Sequence, residues 1–235
     1  MKILFDNKVL GATITALGEN ANFPALNMKS QFLRLKYKGV GYSDTITVMF
    51  PRNISANCFF AGYTNAESMT VQLYSNTSEL LRTVNVVCGD DTLAEYFPET
   101  DNVRWLVISA ASAVTEDLYI GGLGFGMAYS CFLPRANFDK AMVSSSVQSS
   151  SSSGQVSTMY IEPRVQYKLD FAGSYRETYH ELYDKFQTVD TGHIWLDITD
   201  ENHSVYRPIY CTTTALQNPA RDHRVSYSIT ATEAR

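Results

Sequence analysis

No stretch of this sequence is apolar for the roughly 18 residues that a membrane-spanning helix needs, so no membrane insertion is expected. The start is equally poor as a targeting signal. Ile3-Leu4-Phe5 is cut by Asp6, where a secretory signal has about 7–15 apolar residues. No signal peptide is expected, and synthesis and retention in the cytoplasm, or exit inside a larger particle, follow. A basic stripe is also missing. The 19 Lys and Arg face 24 Asp and Glu, a net charge of −5, which argues against nucleic-acid readout and against attraction to anionic lipid.

Chemistry-bearing motifs are scarce. None of the four cysteines, Cys58, Cys88, Cys131 and Cys211, stands in a CxxC pair. Wide spacing in a reducing compartment favours buried free thiols over disulfides. The four histidines, His180, His193, His203 and His223, all lie in the second half, yet none makes HxxxH, HxH or a zinc spacing with a cysteine. The acidic run Asp197 to His203 lacks the central glycine of a calcium loop and is read as a polar turn. Gly121-Gly122-Leu123-Gly124-Phe125-Gly126 lacks the Lys-Ser/Thr of a phosphate loop; glycines in such a run mark a bulge or close backbone packing. There is no GxSxG elbow. The expectation is therefore no catalytic residue, no cofactor, no metal and no enzyme.

What is present is material for a β core. Apolar residues make up 45% and charged residues 18%, with 15 Tyr and 12 Phe. Aromatic and β-branched enrichment suits a pleated, half-buried surface. Short runs recur between turn residues: Phe32 to Tyr37, Ile46 to Phe50 ending at Pro51, Met69 to Tyr74, Leu81 to Val87, Trp105 to Ile108 and Leu118 to Leu123. Regular short strands of this kind predict a sandwich.

A tract rich in serine, 144–154, is expected as a flexible loop, because it has little to bury. Beyond it the pattern changes. Met159 to Phe171 reads as a long strand or a strand pair with Pro163 at a bend or edge. Ser174 with Glu177 fits a capping box, and Tyr175, Tyr179, Leu182, Tyr183 and Phe186 give one apolar face to a helix near 175–187. His193 to Ile198, Val205 to Thr213 and Val225 to Ala231 read as three further strands.

Two resemblances add to this reading. Asn22-Phe23-Pro24-Ala25-Leu26-Asn27, with Trp105 to Ile108 and Leu118 to Gly126, resembles the galactose-binding, discoidin-like jelly roll over residues 1–130. That family's tryptophan after the early loop and its Asp-Leu-Gly strand are absent, and Ile46 to Phe50 stands in that place. Tyr206 to Cys211 followed by Tyr227 to Ala234 resembles the ending of bacteriophage tail proteins, whose fold combines a small β-barrel and one helix. Together they imply a mainly β chain: a discoidin-like β-sandwich at 1–130, then a tail-tube-like β domain at 131–235, a small barrel or sandwich with one packed helix. The first function implied is a tail-tip or adaptor protein in a virion tail, made in the host cytoplasm, its partners being itself in a ring-like homo-oligomer and other tail proteins. The alternative is a carbohydrate-binding module that meets host-surface glycan through jelly-roll loops, with Tyr42 and Tyr63 as the contact residues.

Overall fold

The computed structural model describes residues 1–30, 33–89, 91–130, 138–150, 156–187, 193–198, 208–213 and 224–234. In chain order the first strands are β1 (Lys2–Leu4), β2 (Thr13–Ala16), β3 (Tyr37–Lys38), β4 (Ser43–Thr64), β5 (Ser68–Tyr74), β6 (Leu80–Val86) and β7 (Thr92–Ala111). They are followed by β8 (Tyr119–Gly126), β9 (Tyr129–Ser130), β10 (Phe138–Ser150), β11 (Val156–Tyr175), helix α1 (Arg176–Gln187), β12 (His193–Asp197), β13 (Ile209–Thr213) and β14 (Arg224–Glu233). The protein is mainly β with one α-helix among the described residues, and its sheets are open rather than closed into a barrel.

Two units divide the chain: residues 1–132 with 193–210, and residues 133–192 with 211–235. The stretch 193–210, which sequence places after residue 131 and hence in the later domain, belongs by its packing to the first unit.

The first unit is organised by two long strands. β4 and β7 pair antiparallel along their lengths, with register shifts between Met49 and Cys58. Before the shifts β4 lies between β2 and β7, and β5 and β6 continue beyond β7. After them β4 lies between β7 and β8, with β3 beyond. Both strands thus pass from one layer of the sandwich to the other, bending where bulges loosen the ladder. This is why Pro51 does not end the strand: it falls in the register shift, where a missing N–H costs no ladder bond. Ile46, Val48 and Phe50 point inward with Val71, Leu73, Leu106 and Ile108, and Phe50 stacks on Phe125 at 5.6 Å. The run expected as a strand at Phe32 to Tyr37 is instead a turn at 33–36, with pairing only from Tyr37; Phe32 lies outside the described residues.

The glycine run has its explanation here. Trp195 of β12 lies fully buried against β4 and β8, stacked on Phe60 at 5.4 Å. A Cβ on Gly62 would stand 2.7 Å from its ring, and one on Gly124 2.6 Å from its Nε1. Only glycine leaves room for the indole, so 193–198 docks on the first unit.

In the second unit β10, β11, β14 and residues 211–213 of β13 run antiparallel in that order. The serine tract expected as a loop enters β10: Ser145 to Ser150 pair with Ile161 to Val156. Ladder bonds come from the backbone and need no apolar side chain, so a serine strand forms once a strand rich in β-formers lies beside it. Residues 151–154 of the tract lie outside the described residues. Pro163 sits at a bulge, where Glu162 and Pro163 together oppose Ser144.

Helix α1 buries Tyr179 and Leu182. The Tyr179 ring meets Tyr227 edge-on at 4.7 Å, and Tyr227 stacks on Phe171 at 4.5 Å, which seats the helix on β11 and β14. Ser174 lies in β11 opposite Val225; its side chain falls outside the described set. Near the chain's end, buried Glu233 accepts the Val165 N–H at 3.1 Å and so ties β14 to β11.

Candidate functional site

The site is built where β4 ends. Tyr63 adopts a φ of +52°, the left-handed region that costs a side-chain-bearing residue about 1–3 kcal/mol. The strand opposite makes room. Gly121 faces Tyr63, and a Cβ there would meet the Leu33 carbonyl oxygen at 2.3 Å and the Tyr63 Cβ at 2.9 Å. A bare position on β8 thus lets the 33–36 turn and Tyr63 close on one another.

That closure gathers three half-buried side chains. The Tyr63 and Tyr119 rings lie 5.8 Å apart, tilted by 47°. The Lys36 ammonium stands 3.7 Å from the Tyr119 ring centroid and 5.2 Å from that of Tyr63. A cation over an aromatic face is attracted by the ring quadrupole, which holds the lysine in place. Burial, and then the neighbouring Lys38 charge, lower the Lys36 pKa. Burial raises that of Tyr119, with further contributions from Tyr63, Glu116 and Asp91.

Neighbouring loops brace the group. Asn27 Nδ2 donates to the Lys36 carbonyl at 3.1 Å, so the last residue of the early Pro24-Ala25-Leu26-Asn27 stretch positions the lysine. Asn65 accepts from the Tyr119 N–H at 2.8 Å and donates to the Asp117 carbonyl at 3.0 Å. Thr64 donates to the Tyr119 carbonyl at 2.9 Å. The arrangement offers an aromatic pair, one cation and amide groups on fixed backbone. That suits binding a polar ligand, and supplies no nucleophile with an adjacent base.

Tyr42 lies on another loop. It is exposed, and its carbonyl accepts from the Ser112 N–H at 2.8 Å, so it flanks the same 112–118 segment that Asn65 grips from the other direction. The structure records no ring contact between Tyr42 and Tyr63. Sequence reasoning missed Lys36 and Tyr119. Tyr119 was within reach: between buried Leu118 and Ile120, alternation points it outward. Lys36 carried no signal, because its place depends on the turn.

Among the histidines, His193 stacks on Tyr210 at 5.4 Å and His180 meets Tyr179 edge-on at 6.4 Å; His203 and His223 lie outside the described residues. Among the described residues no three His, Cys, Asp or Glu gather at metal-binding distance. Cys58 and Cys211 are buried free thiols, and burial pushes Cys58 up to about 12. Cys131 lies outside the described residues.

No protein-family profile matches the sequence, and no curated protein matches it. Among solved structures, the chain is similar to a chitosan-binding module derived from a chitosanase/glucanase of Paenibacillus sp., at TM-score 0.46 and 13% identity, over 52% of this chain and 98% of that one. It is similar to a Clostridium perfringens module in complex with GalNAc-β-1,3-galactose, at TM-score 0.46 and 13% identity, over 52% and 99%. A Streptococcus pneumoniae fucose-binding module is similar at TM-score 0.44 and 12% identity, over 52% and 94%.

Proposed function

We propose that this protein is a non-catalytic carbohydrate-recognition protein that binds a sugar where the ends of β4 and β8 meet the 33–36 turn, at Tyr63, Lys36 and Tyr119. The observation that carries the reading is Tyr63 itself. A tyrosine held in a left-handed backbone, beside a glycine that no other residue could replace without a clash, is strain retained for a purpose. Its ring presents an apolar face to a sugar's C–H groups, while Lys36 and the loop amides address hydroxyls. Tyr42, on the adjoining loop, is proposed as an outer contact.

A glycan array probed with the full chain tests this, followed by titration with the best binder. Tyr63→Ala and Lys36→Ala are each expected to weaken binding at least tenfold, about 1.4 kcal/mol. Tyr42→Ala should weaken it less. A flat array, with the same chain assembling into closed rings by mass photometry, would instead favour the tail-component reading, in which a head-to-tail interface repeats around an axis.

A further inference from the structure

The outward face of the layer formed by β2, β4, β7, β5 and β6 is a second surface, away from Tyr63. Alternation points one residue in two outward along each strand, and the pairing fixes which of them stand side by side. Met49, Trp105, Tyr74 and Leu80 form one row across β4, β7, β5 and β6. Met49 and Leu80 are each 49% exposed, and Tyr74 and Trp105 stack at 5.9 Å with 18° between their planes. The next row is Thr47, Val107 and Gln72. Then come Thr45, Ser109 and Thr70, with Thr70 bonded to Asn85 at 3.4 Å, and last Ser43, Ala111 and Ser68.

No charged residue occupies any position in these rows. The far rows open into a shallow groove of about 630 Å³, bordered by the exposed Leu17. Asp44 borders that groove, but its carboxylate already accepts from the Gly18 and Thr45 N–H groups and from the Tyr37 hydroxyl. Four residues of strand, roughly 13 Å at about 3.3 Å each, separate the aromatic row from the Ser109 row.

We infer that this face binds a neutral polysaccharide chain lying along the strands, with sugar rings on the Trp105–Tyr74 pair and hydroxyls met by the threonine and serine rows. A protein partner would want an apolar centre with a polar rim. Here the large apolar side chains stand in one end row, and beyond it Val107 and Ala111 are set among hydroxyl and amide side chains, which matches an uncharged ligand dense in hydroxyls. The inference is independent of the Tyr63 site, because the two share no residue.

The test is affinity electrophoresis of the full chain in gels containing soluble neutral polysaccharides (xyloglucan, galactomannan, mixed-linkage glucan), with polygalacturonate as the charged control. Retardation is expected in at least one neutral gel, and at least tenfold weaker binding for Trp105→Ala and Tyr74→Ala. Ser109→Arg adds bulk and charge to an exposed position without touching the core, and should abolish retardation in a protein that still melts normally. Tyr63→Ala should leave it unchanged. The sequence holds 2 tryptophans, so Trp195→Phe leaves Trp105 as the only one, and its emission should shift to the blue as polysaccharide is added. The inference is overturned by no retardation in any neutral gel, by retardation that Ser109→Arg leaves intact, by equal loss in Tyr63→Ala, or by a dimer that Ser109→Arg dissolves.

Discussion

The two units of this chain are sensitive to opposite changes. The first is crowded: Trp195, Phe60 and Leu33 press against strands whose glycines have no space for one further carbon. The second is joined by a backbone ladder that admits serine after serine, and its helix α1 is held on the sheet by Tyr179 and Leu182. A bed of glycines suffers when atoms are added, and the seat of a helix when they are taken away.

The largest effect is expected in the second unit. Leu182→Ala should cost about 2–5 kcal/mol, because a buried leucine is removed from the face that seats α1. Hydrogen exchange should show the loss in 156–187 and 224–234. Protection lost equally at Val48 and Ile108 would erase the contrast between the units.

Next in size is Gly124→Ala, at about 1–3 kcal/mol, for a Cβ placed 2.6 Å from Trp195 Nε1. The sharper form of this prediction is a rescue. Trp195 Nε1 is buried without a hydrogen-bond partner among the described residues, so Trp195→Phe sheds an unsatisfied donor as well as the clashing atoms. Urea denaturation of Gly124→Ala, Trp195→Phe and the double variant should give a double variant more stable than the sum of the single losses. Simple additivity would mean that the glycine is not there for the indole.

The smallest effect concerns pH, within the first unit. Tyr96 donates to Asp197 Oδ2 at 2.7 Å, and burial first, then that carboxylate, raise its pKa. A folded-state pKa above the unfolded value of about 10 gives stability that is full below pH 10 and declines as pH rises further, because the unfolded chain loses the proton first. Tyr96→Phe should flatten that decline by about half a proton on average, a total of about 1.4 kcal/mol, in melts between pH 9 and 11. Parallel slopes would show that Tyr96 ionises as freely folded as unfolded.

Much of the fold was legible from local pattern. Met69 to Tyr74 alternates and lies in a strand, as do Trp105 to Ile108 and the run from Leu81 as far as Val86; the aromatic stripe from Tyr179 to Phe186 lies on a helix. Two of the misses share one cause. Pro51 and the serines of 144–150 look like breaks, yet Pro51 sits where β4 and β7 slip register and the serines sit beside a willing partner strand. Whether a residue interrupts a ladder depends on the strand opposite. The candidate site was half legible. Tyr63 was marked as a loop aromatic, while Lys36 entered only because a turn held by Asn27 lays it over Tyr119.

By itself, the order of apolar and polar residues determined the β character, the helix at Arg176–Gln187 and the inward faces, because side-chain direction repeats every two residues in a strand and every 3.6 in a helix. Only the tertiary structure decided that Trp195 returns to a bed of glycines some seventy residues or more earlier, and that Tyr63 is turned toward Lys36. It also aligned Trp105 and Tyr74 on one open face. Those arrangements join residues far apart in sequence, and their energies come from shape and close approach, which no local period encodes.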